Sequence, residues 1–230
     1  MYEVEQKYRL GDPEAFLAKI SENNVKWELE IHETDMYFQH PVRDFAQTDE
    51  ALRLRQRKIF SCKTLQEKEN SPEEEYFVTY KGPKLKGKTK TRQEIELPLF
   101  KAHEIPDFSD ISKKMVKMEK ENFSRWCEFF EVLGFRAVSK VIKIRKKAWI
   151  IWRAARVEIS YDTLSELGCW AELELMARTA EEIPDAEMII QSLAQCLGLK
   201  EVERKSYLEL VMENAQKNGE GVKTFQKRQI

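Results

Sequence analysis

Six stretches of this chain alternate apolar side chains with fully charged ones, and that pattern limits the folds open to it. In an extended strand, residues i, i+2 and i+4 share one face. Glu3, Glu5 and Lys7 therefore lie opposite Val4 and Tyr8, and Arg53 and Arg55 opposite Leu52 and Leu54. Arg92, Glu94 and Glu96 oppose Ile95 and Leu97, while Lys143 and Arg145 oppose Ile142 and Ile144. Glu158 and Asp162 oppose Val157, Ile159 and Tyr161, and Glu172 and Glu174 face away from Leu173 and Leu175. One such strand is an ordinary amphipathic sheet member. Six of them carry charges of both signs and few of the Thr, Ser or Gln residues that usually cover a wet face. A sheet closed on itself turns one face inward. With the apolar faces packed on helices, the charged faces line a lumen.

The rest of the chain fits one domain of that kind. Strands are expected over 2–10, 25–39, 51–59, 75–81, 88–97, 138–153, 156–162 and 169–177, with Pro41 and Pro98 ending two of them. Asp12 and Pro13 open a helix running to about Asn24. Phe123, Trp126, Phe129, Phe130 and Leu133 recur at helical spacing before Gly134, a C-cap residue. Two further helices are expected over 185–197 and 204–216, then a frayed tail. The fold class is α+β: an antiparallel barrel or strongly curved sheet with flanking helices.

Composition excludes several functions. Lys plus Arg (39) nearly cancels Asp plus Glu (40), so no whole-molecule field recruits nucleic acid or an anionic membrane. The N-terminus lacks the apolar core of a signal peptide, and no apolar run reaches the roughly 20 residues of a membrane helix. Cys62, Cys127, Cys169 and Cys196 are scattered and form no zinc or disulfide pattern, as in a reduced cytoplasm, the expected location. His32, His40 and His103 are dispersed and read as non-ligands, with His32 the one placed nearest the lumen. The lysine run Lys84, Lys86, Lys88 and Lys90 reads as a solvated hairpin, and Trp149 and Trp152 as packing.

Charges inside a lumen are costly unless paired, hydrated or bound to ligand. Glu3, Glu5, Glu158, Asp162, Glu172 and Glu174 suit a hard cation such as Mg²⁺ or Mn²⁺. Lys7, Arg53, Arg55, Lys81, Arg92, Lys143 and Arg145 suit a highly charged oxyanion. A metal-bound polyphosphate satisfies both sets.

These residues also resemble a known family. Glu3-Val4-Glu5-Gln6-Lys7 is similar to the Glu-x-Glu-x-Lys signature of CYTH proteins, the triphosphate tunnel metalloenzymes. Its companions follow in order: Asp35-Met36-Tyr37-Phe38, Glu50-Ala51-Leu52-Arg53-Leu54-Arg55, Thr79-Tyr80-Lys81-Gly82-Pro83 and Arg92-Gln93-Glu94-Ile95-Glu96. Lys143-Ile144-Arg145, Asp162, Leu167-Gly168, Glu172-Leu173-Glu174 and Ser206-Tyr207 complete the set. The match spans roughly 2–210 and resembles the class IV adenylate cyclase-like branch most. Gln39, a long 63–74 loop and Trp170-Ala171 depart from the pattern and bear on specificity.

The resemblance implies an eight-stranded antiparallel tunnel over residues 1–212, with a flexible tail over 213–230. It implies metal ligation by Glu3, Glu5, Glu172 and Glu174, with Asp162 and Glu158 nearby. Lys7, Arg53, Arg55, Lys81, Arg92, Lys143 and Arg145 would grip the triphosphate, with the first five taken as catalytic. Glu94 and Glu96 would assist the metal or orient arginines. The implied activity is conversion of ATP to cyclic AMP and pyrophosphate. The alternatives are hydrolysis of tripolyphosphate, thiamine triphosphate or a nucleotide, and non-catalytic binding of polyphosphate. A homodimer is an allowed assembly.

Overall fold

The computed structural model describes residues 2–62, 73–84, 92–101 and 123–218. The 63–72 loop, the lysine run beyond Lys84, His103 and the 219–230 tail lie outside the described residues. The chain runs β1 (Tyr2–Arg9), α1 (Pro13–Glu22), β2 (Leu29–Gln39), α2 (Phe45–Thr48), β3 (Ala51–Ser61), β4 (Glu73–Lys84) and β5 (Arg92–Lys101). A helix over 123–132, α3, follows. Then come β6 (Arg136–Trp152), β7 (Ala155–Leu164), β8 (Gly168–Ala177), α4 (Ile183–Cys196), β9 (Val202–Glu203) and α5 (Tyr207–Lys217).

All strands join one nine-stranded antiparallel sheet in the order β5-β4-β3-β2-β6-β7-β8-β1-β9. The two-residue β9 pairs only with Lys7 and Tyr8, so most of the outer edge of β1 stays open. The sheet curls until β1 and β5 approach with Cα atoms within 8 Å, which forms the expected barrel. Pro98 does not end β5; the strand continues to Lys101. Because β5 is the terminal member of the hydrogen-bonded order, a missing N–H there costs little.

The outer faces pack on helices as the alternation requires. Val4, Tyr8, Val157, Ile159, Ala171 and Leu173 meet Phe16 and Ile20 of α1 and Ile190 and Leu193 of α4 in one buried core. Phe38 and Leu54 meet Phe130 of α3 in another. Gly134 ends α3 at φ +89°, and its Cα faces Pro41, so the chain turns where a side chain would collide.

Two elements, α2 and the two-residue β9, were not legible in sequence. α2 is a single turn whose N-cap Asp44 accepts hydrogen bonds from the Ala46 and Gln47 amides. α5, a helix expected over 204–216, packs on the lumenal side. Tyr207 joins Tyr37, Val141, Leu164 and Trp170 there, with Leu208 and Val211 against them. α5 therefore stoppers one end of the barrel, and it runs to Lys217, beyond the 212 boundary drawn from sequence.

Candidate active site

The barrel encloses a cavity of about 490 Å³. Its lining includes Glu3, Glu5, Arg53, Arg55, Lys81, Arg92, Glu94, Glu96, Lys143, Arg145, Glu172 and Glu174, all anticipated from alternation. Arg57 and Lys147 also line it, one strand period beyond Arg55 and Arg145, and sequence reasoning stopped short of them. Glu33 and Asp35 were missed as site residues although they share the inward parity of Tyr37. They are buried between β3 and β6 at 2% exposure each. His32 has the opposite parity, outside the lumen, and its ring packs on Phe60.

Charge is segregated around the barrel. The cations of β4, β3 and β6 (Lys81; Arg53, Arg55 and Arg57; Lys143, Arg145 and Lys147) form one side. β5, β1, β8 and β7 carry Glu94 and Glu96, Glu3 and Glu5, Glu172 and Glu174, and Glu158 and Asp162 on the other. β2 lies within the basic side and brings its counter-ions. Asp35 accepts a forked pair from Arg55, Nε to Oδ1 at 2.6 Å and Nη2 to Oδ2 at 2.7 Å. Glu33 meets Arg55 Nη1 at 2.9 Å, Arg57 Nε at 3.0 Å and Lys143 Nζ at 2.7 Å.

The electrostatics follow from burial and crowding. Burial alone would raise Asp35, but Arg55 and Arg53 overcome it and hold the carboxyl down to about 2. Burial and the neighbouring Arg55 and Arg145 depress the Lys143 ammonium, against the attraction of Glu33. Arg53 gives Nη2 to Thr79 at 3.1 Å and Glu96 at 3.2 Å, while its buried Nε has no hydrogen-bond partner among the described residues. An oxyanion in the lumen would relieve the unsatisfied guanidinium nitrogen of Arg53. Lys81 pairs with Glu94 at 2.6 Å.

The acidic side has the opposite shortage. Burial, then Glu3, Glu158 and Glu5, push Glu174 up to about 8, with Lys147 the opposing cation. Lys147 is itself 2.6 Å from Glu158. Carboxylate oxygens of this kind are the donor type a hard divalent cation takes. Among the described residues no three carboxylates, imidazoles or thiols are already gathered into an ion cage.

Asp162 and Lys7 are placed differently from the other expected site residues. Both Asp162 oxygens are taken: Oδ1 by Arg145 Nε at 2.6 Å, and Oδ2 by Arg145 Nη2 and by the Tyr207 hydroxyl at 2.8 Å. Arg145 also donates to Glu172. Asp162, grouped by sequence with the metal carboxylates, is here an anchor for Arg145. Lys7 is 1% exposed; it donates to the Lys205 carbonyl and lies 4.3 Å from the Tyr207 ring centroid. The α5 stopper thus covers it.

A curled sheet with this lumen has counterparts. A Pyrococcus horikoshii protein, PH1819, is 33% identical in sequence and superposes with a TM-score of 0.67, covering 92% of this chain and 98% of its own. "Putative adenylate cyclase MJ0240" of Methanocaldococcus jannaschii is 30% identical over 215 residues, 91% of this chain and 98% of that protein. "Adenylate cyclase CyaB" of Aeromonas hydrophila is 28% identical over 224 residues, 96% and 94% of the two chains. The CYTH domain model matches residues 1–207, from the Glu-x-Glu-x-Lys strand to the tyrosine that stoppers the barrel, and the chain belongs to the CYTH domain family.

Proposed function

We propose that this chain is a metal-dependent enzyme that holds a triphosphate in the tunnel and breaks a phosphoanhydride link, with ATP to cyclic AMP and pyrophosphate as the leading reaction. The observation that carries this reading is the segregation of charge. One side of the lumen is rich in cations and the other in carboxylates, and Glu174 is pushed up by burial and its acidic neighbours. A metal-bound polyphosphate brings anion and cation together, a simple carboxylate brings only one negative charge, and a sugar brings neither.

Phosphoryl transfer needs the phosphates held in line and their charge neutralised. Arg53, Arg55, Lys81, Arg92, Lys143 and Arg145 would hold phosphate oxygens, the arginines through their forked donors. Lys7 would act from beneath Tyr207. Asp35 and Asp162 fix the planes of Arg55 and Arg145, so those donors are oriented before substrate arrives. Glu3, Glu5, Glu158 and Glu174 would hold Mg²⁺ or Mn²⁺, with Glu172 released from Arg145 to join them. A bound ion of this kind neutralises phosphate charge and lowers the pKa of a hydroxyl or water.

In cyclisation the ribose 3′-oxygen attacks the α-phosphorus and pyrophosphate leaves. In hydrolysis water attacks the terminal phosphorus and orthophosphate leaves. Phe45, Val138, Leu208 and Met212 line the cavity near α2 and α5. These apolar side chains, set among Asp49, Glu50, Glu209 and Gln216, give an organic group something to pack on and favour ATP or thiamine triphosphate over tripolyphosphate alone. The names of the two curated relatives favour ATP. The test is product analysis with ATP, thiamine triphosphate and tripolyphosphate, each with Mg²⁺ and with Mn²⁺. Cyclic AMP with pyrophosphate is the expected result. Orthophosphate without cyclic AMP replaces the cyclase with a triphosphatase, and no turnover of any of the three overturns the enzyme reading.

A further inference from the structure

Tyr207 is the first residue of α5 and the one residue of that helix that is buried. Three of the expected phosphate-binding cations converge on it. Its ring centroid lies 4.3 Å from Lys7 Nζ on β1 and 5.5 Å from Lys143 Nζ on β6. Both ammoniums are within the range at which a cation is drawn to an aromatic face. Lys143 is also held by Glu33 at 2.7 Å, and Lys7 donates to the carbonyl of Lys205, two residues before Tyr207. Trp170 stands edge-on to the Tyr207 ring with centroids 5.9 Å apart, which fixes the ring from its side.

The hydroxyl reaches the third cation through an acid. It donates to Asp162 Oδ2 at 2.8 Å, and Asp162, with no exposed surface, takes Arg145 in a forked pair. Arg145 Nη2 also donates to Glu172. Nε and Nη2 are thereby committed to protein carboxylates, which leaves Nη1 for a phosphate oxygen. A guanidinium is planar, so the carboxylate that takes its fork also sets where the third nitrogen points. The outer torsion of an aspartate is soft, and the Tyr207 hydroxyl pins this one from a separate element.

We infer that Tyr207 is a positioning residue of the anion site, acting through Asp162 to aim the Arg145 guanidinium at a bound phosphate chain. This rests on the triphosphate reading of the site. α5 is then a working part of that site as well as its stopper.

The test is a double-mutant cycle on the dissociation constant of tripolyphosphate with Mg²⁺, read by calorimetric titration of the whole chain. Tyr207→Phe removes the hydroxyl and keeps the ring over Lys7 and Lys143. It should weaken binding about tenfold, the effect of one hydrogen bond to a charged group. Arg145→Lys keeps the charge but cannot make a forked pair, so Asp162 has no plane to set. In that background Tyr207→Phe should change binding by less than about twofold. A merely structural role, such as looser packing of α5, would weaken binding by the same factor in both backgrounds. Equal factors, or no effect of Tyr207→Phe in the wild-type background, overturn the inference. Should Arg145→Lys lose its folded circular dichroism spectrum, Asp162→Asn takes its place in the cycle and is read by the same factors. A wild-type chain that binds no tripolyphosphate overturns the triphosphate reading itself, and the positioning role with it.

Discussion

Asp35 lies between Arg55 and Arg53 with its carboxyl held at about 2, against an ordinary value of 3.8. A depressed acid contributes stability above its unfolded pKa, and that stability is lost as pH falls through the folded one. The difference, roughly two pKa units, corresponds to about 2 kcal/mol present above pH 4 and lost progressively between about pH 4 and pH 2. Denaturant unfolding across pH 2–5 should show this slope in wild type and a shallower one in Asp35→Asn. Equal slopes would mean Asp35 is not charged in the folded state. On the acidic side, Glu172→Ala combined with Glu174→Ala should abolish metal-dependent turnover while near-native circular dichroism survives, because losing Glu174 relieves a crowded acidic corner and Arg145 keeps Asp162 when Glu172 is lost. Wild-type rates in that double variant would remove these two residues from the metal site. The parity of single strands made most of these residues legible. Glu33 was not, because its meaning depends on which residues of β3 and β6 stand beside it, and register is not written in any one strand.

At the scale of elements, the inward stopper α5 depends on its first turn. Ser206 accepts from the Glu209 amide at 3.2 Å, and Glu209 accepts from the Ser206 amide at 2.6 Å, a reciprocal capping box. Ser206→Ala should cost about 1 kcal/mol, concentrated in α5. Hydrogen exchange should then quicken over 207–217 and leave β7 and β8 protected; uniform acceleration would show that α5 is integral to the global fold. Tyr207 would lose its steady seat over Lys7 and Lys143 in the same variant. The barrel strands were readable because alternation is a local property. The placement of α5 was not. Its face bearing Leu208, Val211 and Met212 announces burial but not whether the partner is the outside or the inside of a barrel. α2 was hidden for another reason: one turn holds too few residues to display a period.

For the whole molecule, two oppositely charged sides of one lumen imply coupled ligands. Mg²⁺ with tripolyphosphate should raise the melting temperature more than the sum of the shifts from either alone, since each occupant supplies the charge its partner needs. Saturation at a hundred times the dissociation constant adds about 2.7 kcal/mol. For a domain of this size that is on the order of 5–10 °C, read by differential scanning fluorimetry. Additive shifts would separate the metal site from the anion site.

The pairing of the first strand with β8 has a consequence in time. β1 is zipped to β8 from Tyr2 against Ala177 to Arg9 against Trp170, so the first strand made must wait for nearly the last. At synthesis rates of roughly 5–20 residues per second, β1 stays without that neighbour for on the order of ten seconds or more. Its Val4 and Tyr8 have no α4 to pack on until later still. Pairing across so long a stretch of chain is intrinsically slow. A newborn chain of this protein therefore spends its early life with a sticky leading edge, a natural client for whatever shields nascent polypeptides, and that edge finds its neighbour only when β8 arrives.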